Sequence, residues 1–187
     1  PSELEHVADH LDWCGSHSAK LHQTDLQNAV DPDLFASIVR TAKLLDDRVI
    51  IVCLAFAGPR RAGDIQDWLE GFALSSQRRI LVFSFDLDID YRWDLGDIRI
   101  FHLLLSLTEQ GFIDIWFGGP PCATVSSALF LPIENGPRPV RSRDCFWGLD
   151  DLTDAETSRV VVSNRLYMHY LALCEAASSR GGMHGWE

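Results

Sequence analysis

Apolar residues along this chain fall into two textures. In one they recur at steps of three and four among polar positions, the mark of a helix with one buried face; in the other they run together in β-branched blocks, as in strands covered on both sides. Leu4, Val7, Leu11 and Cys14 belong to the first texture and predict a short amphipathic helix ending near Gly15. Leu34, Ile38, Val39 and Leu45 predict a second helix over 32–45, with Asp31 as its cap and Pro32 in its first turn. From Arg48 the texture changes, and RVIIVCLAF reads as a central strand. GPRRAGD turns the chain into DIQDWLEGFALSS, where Ile65, Trp68, Leu69 and Phe72 fall at helical spacing behind the candidate cap Asp64. RRILVFSFDLD is the next buried strand, IRIFHLLLSLTEQG a helix closed by Gly111, and FIDIWFGG a third strand. Irregular chain follows to about Leu149. Thr153 and Glu156 then form a capping box at the head of a long helix, TDAETSRVVVSNRLYMHYLALCEAA, and SSRGGMHGWE reads as a loose tail.

Strands alternating with helices at this spacing imply crossovers and a mostly parallel sheet flanked by helices, an α/β fold of Rossmann-like type. The expected organisation is a helical extension over 1–46 packing on the core, an α/β domain over 47–177 and the tail over 178–187. Such sheets take ligands at the carboxyl ends of their strands, which singles out AGPRRAG, DLDID and GGPPC.

Composition narrows the setting. With 187 residues, 47% of them apolar, the chain fills one sizeable core. No stretch approaches the roughly 18 apolar residues of a membrane span, and the first residues lack the halves of a signal peptide, so an intracellular protein is expected. A start at Pro1 suggests further residues upstream. Five scattered cysteines without a CxxC pair fit a reducing compartment better than a disulfide framework. Against 16 Lys and Arg stand 27 Asp and Glu, a net charge of −11 that repels phosphate unless cations gather locally.

Three stretches could carry chemistry. FAGPRRAG places glycine where a strand turns into a helix, so a cofactor can approach the backbone, although the spacing is not G-x-G-x-x-G and an ordinary turn would look the same. Asp86 ends the second strand where a carboxylate can accept ribose hydroxyls; Asp88 and Asp90 are rivals, and Asp97 lies in a further loop at the same edge. In FGGPPCATVSS two prolines stiffen the loop that presents Cys122, which is either a nucleophile or a small buried hydrophobe. Arg138, Arg141, Arg143, Arg159 and Arg165 gather positive charge after that loop, to meet phosphate or to pair with the surplus acids. His6, His10, Cys14 and His17 have ligand chemistry, but one helix cannot close a tetrahedron over four successive turns, so no metal is assigned.

FAG at 56–58, the acid after the second strand, GDI at 96–98 and DIWFGGPPCATVS at 114–126 occur in the order that resembles the cofactor-binding half of cytosine-5 DNA methyltransferases. The resemblance covers roughly residues 48–130. It implies a methyltransferase-type sheet that holds S-adenosylmethionine through Phe56, Ala57, Gly58, Asp86, Asp97 and Pro120. It further implies Cys122 as the nucleophile that attacks C6 of a flipped cytosine, with Ser126, Arg138 and Arg141 toward DNA through the segment after Cys122. Several departures accompany it. Ala123 stands where the family usually has glutamine, and Pro59, Arg60 and Arg61 stand where further glycines are common. The family's glutamate for N3 of cytosine should follow on the next strand; IENG at 133–136 is too close to Cys122, and the chain reaches Glu187 about where that strand could begin. The expectation is therefore an incomplete or degenerate methyltransferase-like domain, the alternative a non-catalytic Rossmann-like subunit that meets protein partners in a larger assembly.

Overall fold

The computed structural model describes residues 31–59, 61–76, 78–131 and 136–186. The helix expected near the amino terminus, with its histidines and Cys14, lies outside the described residues. Within them the order is α1 (Pro32–Leu45), β1 (Ile50–Ala55), α2 (Ile65–Ser76), β2 (Ile80–Phe85), α3 (Ile98–Glu109), β3 (Ile115–Gly118), α4 (Asp154–Ser179) and β4 (Met183–Trp186). The four strands form one parallel sheet in the order β2-β1-β3-β4, so the chain is α/β and Rossmann-like.

Local chemistry explains the helix starts. Asp31 accepts from Leu34 N at 2.8 Å with Pro32 in the first turn, and Thr153 with Glu156 makes the reciprocal capping box of α4. The buried faces differ from the expected stripes. On α1 the residues that go inside are Phe35, Ala36, Val39 and Ala42, while Leu45 stays exposed. Phe35 sets this rotation, because its ring meets Phe83, Phe85 and Trp93 edge-on at centroid distances of 4.8, 5.2 and 5.4 Å. On α2 the inner residues are Gln66 and Leu69, whereas Trp68 and Phe72 stack on each other at 5.6 Å on the outside. Gln66 can be buried because its amide donates to Glu70 and its carbonyl accepts from Ser84 Oγ at 2.5 Å.

The sheet separates two unequal apolar layers. Ile51, Cys53 and Ala55 of β1 face α1, α3 and α4, with Trp116, Leu104, Leu107 and Tyr170 at the centre. Val52 and Leu54 face the other way, toward Leu69 of α2. Asp114 ties the sheet to α1: its carboxylate accepts from Lys43 Nζ and from Ile51 N, both at 2.7 Å, which fixes the start of β3 against β1 and α1.

Within the carboxyl-terminal tail, expected to be loose, Met183–Trp186 instead forms the edge strand β4. Gly182 and Gly185 make this possible. A Cβ at Gly182 would lie 2.3 Å from Asp114 O, and one at Gly185 would lie 2.2 Å from the Phe117 ring, so side chains there would push the strand off β3. The Tyr170 hydroxyl of α4 donates to Gly185 O at 2.7 Å and pins the strand from beneath.

Candidate functional site

From β1 the chain moves to β2 on one side and then returns past β1 to β3 on the other. Strand order therefore reverses between β1 and β3, and that reversal opens a crevice at the carboxyl ends of the two strands. A cleft of about 780 Å³ lies there, bordered by the Phe56–Gly58 turn, Arg61, Gln66 and Ser84 on one side and by Gly118 and Trp186 on the other. This is within the roughly 300–1,000 Å³ typical of small-molecule sites. Close approach of the strands below it depends on Gly118, whose Cβ would stand 2.4 Å from Ala55 O.

The turn after β1 is strained. Phe56 has φ of 58°, a left-handed conformation that a bulky residue adopts at a cost of about 1–3 kcal/mol. Its amide is held by Phe85 O at 2.8 Å, and its ring packs edge-on against Tyr170 at 6.0 Å. Gly58 also has positive φ, 65°, with nothing within 4 Å of where a Cβ would be; the glycine answers to backbone conformation and faces open space.

The amides of this loop are already engaged by acids. Gly58 N donates to Asp86 Oδ2 at 2.9 Å, Arg61 N to Asp64 Oδ2 at 3.0 Å, and Gly63 N to Asp67 Oδ2 at 3.1 Å. Asp64 also accepts from Asp67 N at 2.8 Å, closing the first turn of α2. A phosphate-binding loop needs such amides free and a helix amino terminus open to an anion. Here carboxylates occupy both.

The other sequence-derived residues take varied positions. Asp86 stands behind Gly58, its second oxygen accepting from Asp88 N at 2.8 Å, and it does not border the cleft. Asp97 caps α3 through Arg99 N and pairs with the Arg99 side chain at 2.6 Å, which holds its carboxyl at about 2, below the usual 3.8. Asp90 is likewise occupied by Arg92. Ala57 is exposed in the turn and Pro120 is buried beyond β3.

Cys122 begins a single 3-10 turn, Cys122–Thr124, and its carbonyl accepts from Val125 N and Ser126 N. It is exposed, whereas Cys53 and Cys174 are buried and their thiols are pushed up by burial. Beneath this turn Thr124 Oγ1 donates to Ser163 of α4 at 2.7 Å and accepts from Arg141 Nε and Nη2 at 3.2 and 3.0 Å. Arg141 also reaches Asn164 Oδ1 at 2.7 Å. It is 6% exposed with no carboxylate partner among the described residues, and burial lowers its pKa. Arg138 is tied to Asp151 and Glu156 at 2.8 and 2.9 Å. Of these two candidate phosphate contacts, then, Arg138 pairs with acids and Arg141 buttresses the Cys122 turn.

Trp186, the Gln66–Ser84 pair and the acids Asp64 and Asp67 were missed as site residues from sequence. Only Asp64 left a local signal, as a helix cap. Among the described residues no cluster of His, Cys, Asp and Glu could hold a metal, and no helix is long and apolar enough to cross a membrane. Comparison with models of protein families finds no match, and neither the curated proteins nor the solved structures return a significant one.

Proposed function

We propose that this chain is a cytosine-5-type methyltransferase-like domain that takes S-adenosylmethionine in the cleft between β1 and β3. The observation that carries this reading is the acid-capped loop at a Rossmann-like switch point. It suits a cofactor that bears a sulfonium and an ammonium group and lacks phosphate. Arg61, on the border of the cleft, suits the cofactor's carboxylate. The cofactor would supply an electrophilic methyl carbon.

On the protein's side, exposed Cys122 would add as thiolate to C6 of a cytosine outside the duplex, making C5 nucleophilic toward that methyl carbon; the C5–methyl bond would form as the sulfonium–methyl bond breaks with its electron pair left on sulfur, and loss of the C5 proton with elimination of the thiolate would then give the methylated base and free cysteine.

Transfer of labelled methyl groups from S-adenosylmethionine to cytosine-containing DNA tests the proposal. Activity abolished by Cys122→Ser is expected; transfer that survives Cys122→Ser would refute it. A non-catalytic interaction module is the second reading, favoured by the exposed Trp68–Phe72 stack on α2. It predicts no methyl transfer and a partner lost on Trp68→Ser with the fold intact.

A further inference from the structure

A second cavity, of about 280 Å³, is bordered by Thr124 and by residues of the segment 139–146. Its apolar walls come from Val125, Phe130, Val140 and Phe146, and its polar edge from Arg141 and Arg143. None of its lining residues is acidic, in a chain of net charge −11. The two cations differ in what they can do. Arg141 is buried, its guanidinium lies 5.8 Å from the Phe146 ring centroid, and most of its donors are engaged by Thr124, Asn164 and Phe146 O, so it contributes mainly charge. Arg143 is exposed and has no ion pair among the described residues. Phe130 and Phe146 are 62% and 52% exposed, so their rings are open to contact from solvent.

We propose that this cavity holds one unpaired nucleotide, its base against Phe130 and Phe146 and its phosphate at Arg143. The volume lies just below the range for drug-sized ligands, enough for a single ring system and too small for a dinucleotide. Aromatic faces beside an unpaired arginine are the pairing by which single strands are held without sequence preference. Thr124 joins this cavity to the Cys122 turn, so a nucleotide seated here would neighbour the one presented to Cys122. The inference rests on the nucleic-acid reading above and transfers the phosphate contact from Arg138 and Arg141 to Arg143.

Calorimetric titration of the full chain at low ionic strength with thymidine 5′-monophosphate, thymidine, inorganic phosphate and a short Glu-Phe peptide tests it. Saturable binding of the monophosphate is expected, with thymidine and phosphate each at least about tenfold weaker. Arg143→Gln and Phe130→Ala, both at exposed positions, should weaken it by a similar factor, and Arg138→Gln should leave it unchanged. Absence of saturation at millimolar monophosphate, equal affinity in Arg143→Gln, or tighter binding of the peptide overturns the proposal. Titration of the same variants with S-adenosylmethionine separates the two sites: cofactor binding retained without the monophosphate defeats this inference alone, and the converse defeats the cofactor reading alone.

Discussion

At the scale of single residues the site depends on backbone geometry that few side chains tolerate. Gly118→Ala would place a methyl group against Ala55 O and force β3 from β1, so a loss of about 1–3 kcal/mol in urea unfolding is expected, the usual cost of overpacking. Asp86→Ala releases Gly58 N from a charged acceptor, an interaction worth about 1.5–3 kcal/mol. If that bond shapes the turn, affinity for S-adenosylmethionine should fall by about tenfold or more, measured by titration. Sequence made Asp86 visible through its place after a buried strand, but not its partner, because Gly58 is 28 positions away and the contact exists only once β1 and β2 pair. The burial of Arg141 was illegible for the same reason. A guanidinium looks like a surface cation until Thr124 and Asn164 arrive from separate elements to bury it.

Among the elements, those governed by local rules were the legible ones. The α4 boundary follows from Thr153 and Glu156, and Thr153→Ala should cost about 1 kcal/mol, read as a shift in the unfolding midpoint. The same box carries a pH dependence. Glu156 ordinarily titrates near 4.5 and is held at about 2, first by Arg138 and then by Thr153. Because its folded pKa is depressed, its contribution is complete above about pH 4.5 and is lost as pH falls toward about 2. Melting temperature should therefore decline through that window, and more shallowly in Arg138→Gln. The rotations of α1 and α2 were not legible, since several registers of an apolar stripe satisfy the same spacing. Phe35 meeting three aromatic rings decides one, and Gln66 meeting Ser84 decides the other. Strand β4 left almost no signal: MHGW is short, exposed and not β-branched, and it pairs because Gly182 and Gly185 let it approach β3.

For the whole molecule, alternating texture along the chain was enough to read a parallel α/β sheet, while the order β2-β1-β3-β4, and with it the switch point, emerged only from the strand pairing. That order explains why chemistry spread from Phe56 to Trp186 converges on one cleft. The surplus of acid has a part in the same account. Three carboxylates occupy the loop amides that a nucleotide phosphate would need, which is the ground for proposing a cofactor without phosphate. Isothermal titration of the chain with S-adenosylmethionine, beside a phosphate-bearing dinucleotide such as NAD, measures this directly. A saturating heat with S-adenosylmethionine and none with NAD is the expected result; no heat with S-adenosylmethionine at millimolar concentration, or a preference for NAD, would contradict it.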